Sequence, residues 1–247
     1  MSPQQWRLPL EVCENVIDEG AFDKHEERYA TLSSFALVYS KQRASRLLRT
    51  FALSPGLGQY VQGLRIAGND EGANGWIYDV LRTLPAIVTN LQQLRYTNLP
   101  ILHPIFFVLS PRFTTITSLS IEVSTKQSFR ELVQIINGFR GLEELIFQVG
   151  CAWKTPGPFY GGRYSHGIRR ITSSFGSYDT DKVPHETHDI HRWILTSRSV
   201  NSLVALQLDV YGYSALIDEI LRKSYRTLEE VVLWSHRSLR SDGTKCK

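Results

Sequence analysis

Sulfur is scarce in this chain, which has 3 cysteines and 1 methionine among 247 residues. Cys13, Cys151 and Cys246 are widely separated in the sequence. A disulfide framework like those of small secreted proteins is therefore not expected. The pattern favours a reducing compartment, and we expect a cytoplasmic or nuclear location.

Long apolar runs are also absent. The longest candidate, around residues 104–109, is far shorter than the roughly 20 residues that a membrane-crossing helix needs. The N-terminus lacks the basic start and apolar middle of a signal peptide. We expect no membrane partner. The formal net charge of +4 is mild, and it argues against a phosphate-rich partner such as nucleic acid.

Motifs that carry chemistry are missing too. The chain has no G-x-S-x-G nucleophile elbow and no phosphate-binding G-x-x-x-x-G-K-[ST] loop. His185, His188 and His191 could hold zinc if they shared one helical face. They do not match H-E-x-x-H, and the favoured interpretation is a polar start to a helix. We expect a non-enzymatic protein with no cofactor and no metal.

A repeated pattern is what the sequence does contain: an apolar residue, two others, an apolar residue, one other, and an apolar residue. Its copies begin at Val61, Leu91, Ile116, Leu142, Ile168, Leu203 and Leu228. The intervals are 25 to 35 residues, and a near-constant period with this signature is typical of leucine-rich repeats. We predict an α/β fold over residues 57–236, an irregular leucine-rich-repeat solenoid with parallel strands and outer helices. Residues 237–247 are interpreted as a basic tail.

Amphipathic segments between these copies predict the outer helices. They span Trp76–Leu84, Ile105–Leu109, Phe129–Phe139, Ile190–Ser197 and Ala215–Lys223. Because strand side chains alternate between faces, the last two apolar residues of each copy should point towards the helices. The residues that alternate with them should face the concave side and bind a protein substrate. This predicted substrate-binding set is Arg65, Arg95, Ser120, Glu144, Ile146, Arg170 and Gln207.

One long interval contains residues 150–167, which are rich in glycine and aromatic residues. Trp153 and Tyr160 lie near Lys154 and Arg163, a combination that can stack on nucleic-acid bases or anchor a protein. The alternative is that the aromatic rings fold back to cover the sheet. We favour this alternative, because large aromatic side chains gain most from burial.

Residues 6–51 differ in character and predict three short helices. The first contains Leu10, Cys13, Val16 and Ile17 at helical spacing. A second is predicted over Leu32–Val38 and a third over Lys41–Phe51. Leu8-Pro9-Leu10-Glu11-Val12, then Ala36-Leu37-Val38, then the basic run Arg43 to Arg49 resemble the F-box of fungal F-box proteins.

This resemblance implies a helical F-box-like segment over residues 6–51 that binds a Skp-type adaptor and so joins a cullin-containing ubiquitin ligase complex. The adaptor contacts implied are Leu8, Pro9, Val12, Ile17, Leu32 and Val38. The expected function is therefore substrate recognition in the ubiquitin conjugation pathway. Two alternatives stay open: a protein-interaction scaffold with a degenerate F-box and no ligase role, and a helical cap for the repeat array.

Overall fold

The structure, a computed structural model, describes residues 35–68, 75–98, 105–123, 129–149, 167–175, 186–210 and 215–235. Its central feature is a single sheet of eight strands. The strands are β1 Phe35–Val38, β2 Gly63–Ala67, β3 Gln93–Thr97, β4 Ser118–Val123, β5 Glu144–Val149, β6 Arg170–Phe175, β7 Ala205–Val210 and β8 Glu230–Ser235. They lie side by side in chain order, and every neighbouring pair is parallel. The predicted α/β fold with a parallel sheet is confirmed.

Described helices occupy six of the seven connections between these strands, and most of the connection from β5 to β6 lies outside the described residues. They are α1 Lys41–Leu53, α2 Gly75–Thr83, α3 Ile105–Leu109, α4 Phe129–Gly138, α5 Glu186–Thr196 and α6 Ala215–Ser224. Five of the six begin within a residue of their predicted start, and α5 begins four residues earlier than predicted. Their buried apolar residues join those of the strands in one hydrophobic core, so the helices cover one face of the sheet.

The helix predicted over Leu32–Val38 is wrong in its described part, because Phe35–Val38 forms β1. The pairing of Ala36 with Leu64 and of Val38 with Ile66 joins this strand to β2. The alternation of Ala36 and Val38 buries both side chains on the helix-covered face, which a strand allows at a spacing of two residues. Ser40 then caps α1 by accepting a hydrogen bond from the Arg43 N–H at 3.3 Å.

Two rows of inward side chains run across the strands in register. The first is Ala36, Leu64, Leu94, Leu119, Leu145, Ile171, Leu206 and Val231, and the second is Val38, Ile66, Tyr96, Ile121, Phe147, Ser173, Leu208 and Leu233. On β1 to β7 every member is at most 2% exposed. On β8, Val231 is 44% and Leu233 43% exposed. The two rows therefore form the core of the fold, and their burial is incomplete at β8.

A series of backbone hydrogen bonds fixes the same register at the start of each strand from β3 to β8. The carbonyl of Gln62 accepts from the N–H groups of both Gln92 and Gln93, at 2.8 and 2.9 Å. The carbonyl of Gln92 does the same for Thr117 and Ser118, at 2.9 and 3.0 Å. Equivalent pairs of bonds link the carbonyls of Thr117, Glu143, Arg169 and Val204 to the following strand. The register thus satisfies backbone groups that lie just outside the strands.

Tyr96 departs from the apolar character of its row. Its ring is fully buried and lies 5.1 Å from the ring of Phe106. Its hydroxyl forms a 3.1 Å hydrogen bond with the buried Ser110 hydroxyl. Burial raises the pKa of Tyr96 above its ordinary value of about 10. The Ser110 bond has a smaller, opposite effect.

Replacement of Tyr96 tests this buried pair. Tyr96→Phe should lower the free energy of unfolding by about 1–3 kcal/mol at neutral pH, because it leaves the Ser110 hydroxyl buried without its partner. Adding Ser110→Ala should recover part of the loss. Urea unfolding of both single variants and the double variant measures the coupling. Purely additive effects would show that the hydrogen bond contributes nothing.

The same variant should change the pH dependence of stability. Below the unfolded pKa of about 10, Tyr96 is protonated in both states. Above that pH the unfolded chain releases the proton while the folded chain retains it, so stability falls as pH rises. The wild type should therefore lose more stability than Tyr96→Phe in this alkaline range.

No helix among the described residues is long and apolar enough to cross a bilayer.

Candidate protein-binding face

The face of the sheet opposite the helices carries the candidate site, and we call it the open face. Its described residues are half-buried or exposed, apart from the buried Gly63, Thr97, Ala205 and Asp209. Its side chains form three rows, which we name the lower, central and upper rows. The lower row holds Gly63, Gln93, Ser118, Glu144, Arg170, Ala205 and Glu230; the central row holds Leu37, Arg65, Arg95, Ser120, Ile146, Thr172, Gln207 and Val232; the upper row holds Ala67, Thr97, Glu122, Gln148 and Ser174, with Asp209 and Trp234 on the last two strands.

All seven residues of the predicted substrate-binding set lie on this face. Arg170 is exposed and the other six are half-buried. Glu144 and Arg170 belong to the lower row, while the other five belong to the central row. Their common placement follows from the strand alternation. Their role in binding a substrate stays a prediction.

Hydrogen bonds between neighbouring strands hold two carboxylates of the lower row. The Ser118 hydroxyl donates to Glu144 Oε2 at 2.6 Å. The Gln207 Nε2 group donates to Glu230 Oε1 at 2.9 Å. These bonds orient charged groups that stay accessible at the surface. A partner would therefore meet a partly ordered polar surface, which lowers the entropy that is lost on binding.

Arg65 and Arg95 are register partners in the central row. Arg65 Nε donates to Thr97 Oγ1 at 3.2 Å. Arg95 Nη2 lies 3.8 Å from Glu122 Oε2, and these two side chains are 29% and 33% exposed. Neither Thr97 nor Glu122 belongs to the predicted substrate-binding set. Strand alternation would have placed both on this face, because they lie two residues after Arg95 and Ser120. They hold the arginine side chains in a defined arrangement.

Leu37 was missed because β1 was predicted as a helix. It pairs with Arg65 and extends the central row by one strand. A signal for β1 exists in the sequence: Ala36 precedes Leu64 by 28 residues, and this interval lies within the range of the repeat. Ser33 occupies the first apolar position of that copy, so the full pattern is incomplete there.

The predicted adaptor-binding set has a different outcome. Leu8, Pro9, Val12, Ile17 and Leu32 lie outside the described residues. Val38 is 0% exposed within the inward rows. Its side chain is not accessible to an adaptor in this fold, so the prediction that Val38 is an adaptor contact is wrong.

The histidine and aromatic segments are described only in part. His185 and residues 150–166 lie outside the described ranges. His191 is buried on α5 at 2% exposure. Among the residues whose positions the structure describes, no group of three His, Cys, Asp or Glu side chains could hold a metal ion.

Comparisons with known proteins add little to this picture. No family model matches the chain, and no curated protein matches it. Among solved structures, the chain is similar to a structural-genomics target from Bacteroides fragilis, with 12% identity, 78% of this chain and 71% of that chain covered, and a TM-score of 0.39. A similarity this weak supports no inference about this chain.

Val38 offers a test of the corrected assignment. Val38→Ala should reduce the free energy of unfolding by about 1–3 kcal/mol, because it removes methyl groups from a fully buried site. Val38→Asp should be more damaging, since it buries a charge. Urea unfolding measures both. The exposed neighbour Gln42→Ala is the control and should change stability by less than about 0.5 kcal/mol. A Val38→Asp variant of unchanged stability would contradict the buried strand.

Proposed function

We propose that this chain is a non-enzymatic recognition protein that binds a protein target on the open face of its sheet. The observation that carries the proposal is the contrast between the two faces. One face is closed by helices and an apolar core, while the other presents three ordered rows of polar, charged and apolar side chains. A mixed surface of this kind suits a protein partner, whose own surface is mixed.

Ile146 supplies an apolar contact point in the middle of this face. It is half-buried in the central row, with Ser120 and Thr172 as its register partners. Short polar neighbours leave room for a partner side chain above it. Interfaces commonly combine such an apolar centre with a polar surround. The repeats would belong to the irregular leucine-rich-repeat class, as the period and the parallel strand order suggest.

Site-specific photo-crosslinking tests the target-binding face. A photoreactive amino acid at Ile146 should form a covalent adduct with a defined protein in extracts of cells that express the chain. The same group at Val108, which is 69% exposed on α3, is the control on the helical side. Mass spectrometry identifies the adducts. Identical adducts at both positions, or none at Ile146, would argue against the open face.

We extend the proposal to a role as the substrate-recognition subunit of a Skp/cullin/F-box type ubiquitin ligase, in the cytoplasm or nucleus. Its support is the F-box resemblance of Leu8-Pro9-Leu10-Glu11-Val12. The open face would hold the target while the adaptor and cullin place it near the transfer chemistry, which raises the effective concentration. The incorporation of Ala36-Leu37-Val38 into β1 removes part of that resemblance and favours the alternative, a scaffold with no ligase role.

Co-purification with a Skp-type adaptor separates these two functions. If the ligase role holds, the wild-type chain should retain the adaptor, and Leu8→Asp combined with Ile17→Asp should abolish retention. Leu53→Asp is the matched control, since Leu53 is 76% exposed outside the implied contacts and its replacement should not affect retention. A folded wild-type chain that fails to retain the adaptor would support the scaffold instead.

A further inference from the structure

The last strand of the sheet leaves hydrophobic side chains accessible. Val231 and Leu233 belong to the two inward rows, whose members on β1 to β7 are at most 2% exposed, yet they are 44% and 43% exposed. Trp234 on the open face is 61% exposed, and Tyr225, just after α6, is 65% exposed. Half of the large hydrophobic side chains that the described residues expose therefore lie within residues 225–234. Such a cluster indicates a contact surface.

The inward exposure has a structural cause, because no helix follows β8 among the described residues. On β3, the ring of Tyr96 packs against Phe106 of α3, the helix that follows that strand, with 5.1 Å between centroids. On β5, Phe147 packs against Trp193 of α5, which also comes later in the chain, at 6.2 Å. The inward side chains of β8 lack a cover of this kind. A partner that buries them must supply a helix as well as a strand.

The backbone edge of β8 can accept another strand. The Glu230 N–H donates to the Val204 carbonyl at 3.1 Å, on the β7 side. Because peptide groups alternate in direction along a strand, the N–H and C=O groups of Val231 and Leu233 point to the other side, where the structure describes no strand. The six residues of β8 include no proline, lysine or arginine. These are residues that commonly protect the edges of sheets.

We propose that a second copy of this chain covers the edge, with the two β8 strands antiparallel and a two-fold axis through Val232. In this register Val231 of each copy lies opposite Leu233 of the other, so the half-exposed inward side chains bury one another. An axis through Leu233 would leave Val231 with no apolar residue opposite it. The edge is therefore self-complementary, as a two-fold contact requires.

The same axis supplies the missing helical cover. A two-fold axis normal to the sheet keeps both helix layers on one side, so α6 of each copy can cover the inward side chains of the other copy's β8. Both open faces then lie together on the opposite side, and Val232 and Trp234 stand at their junction. The dimer would present its recognition surface twice. The inference rests on β8 and not on the proposed target binding.

Sedimentation velocity of the full chain over a concentration series tests the dimer. The wild type should pass from monomer to a species of twice the chain mass. Val231→Lys/Leu233→Lys should raise the dissociation constant at least about 100-fold, because association would bury four ammonium groups. Leu53→Lys/Val108→Lys makes the same change at side chains that are 76% and 69% exposed and should leave the constant unchanged. Thermal unfolding should show that both variants are folded.

Oxidative cross-linking tests the register. Val232→Cys places one thiol of each copy at the axis, where directly opposed Cβ atoms are about 4.5–5.5 Å apart, and a small adjustment permits a disulfide. Mass spectrometry should show residue 232 joined to itself. Val108→Cys should form a disulfide dimer far more slowly. The untreated sequence measures any cross-linking by the native thiols, Cys13, Cys151 and Cys246.

Hydrogen exchange distinguishes a second copy from another cover of this edge. The amides of Val231 and Leu233 should be protected in the dimer and exchange faster after dilution to the monomer. Protection that persists in the monomer would assign the edge to a segment of the same chain and overturn the proposal. A wild type that stays monomeric up to about 0.1 mM would overturn it in favour of a different protein. A dimer that is insensitive to Val231→Lys/Leu233→Lys, or that forms no disulfide through position 232, would also overturn it.

Discussion

The fold depends on the burial, in register, of two side chains from each of the strands β1 to β7. These residues occur two positions apart, so an extended backbone turns both towards the helices. Their alignment across neighbouring strands makes one continuous core, and no single unit could bury its own apolar face alone. The paired backbone hydrogen bonds at Gln62, Gln92 and the equivalent positions set the same register. Side-chain packing and backbone hydrogen bonding therefore favour the same register of the strands.

This arrangement also creates the open face. Once one set of alternating side chains is committed to the core, the other set must project from the opposite side. Residues far apart in sequence then become neighbours: Arg65 and Arg95 are 30 residues apart, and Ser118 and Glu144 are 26 apart. The proposed recognition would be distributed over several strands. It would require no catalytic cluster, and neighbouring units could contribute different side chains to it.

The N-terminal boundary shows where local pattern and tertiary context differ. Ala36 and Val38 fit a short helix when only their neighbours in sequence are considered. Pairing with Leu64 and Ile66 makes them a strand, because the adjacent sheet supplies hydrogen-bond partners and a buried surface together. The same burial excludes Val38 as an adaptor contact. An apolar residue of a motif can contact a partner only if the folded chain leaves its side chain accessible. Val38 is instead buried in the core.

The sequence by itself determined the period, the strands β2 to β8, most helix limits and the side on which Arg65, Ile146 and Gln207 lie. The spacing of apolar residues predicts these features, because strands repeat every two residues and helices every 3.6 residues. Tertiary structure decided that β1 joins the sheet, because the incomplete repeat copy around Ala36 did not by itself distinguish a strand from a helix. It alone decided that the Tyr96 and Ser110 hydroxyls meet in the core, and that Thr97 and Glu122 contact Arg65 and Arg95. Each of these depends on a partner distant in sequence, and local spacing carries no information about that partner's position.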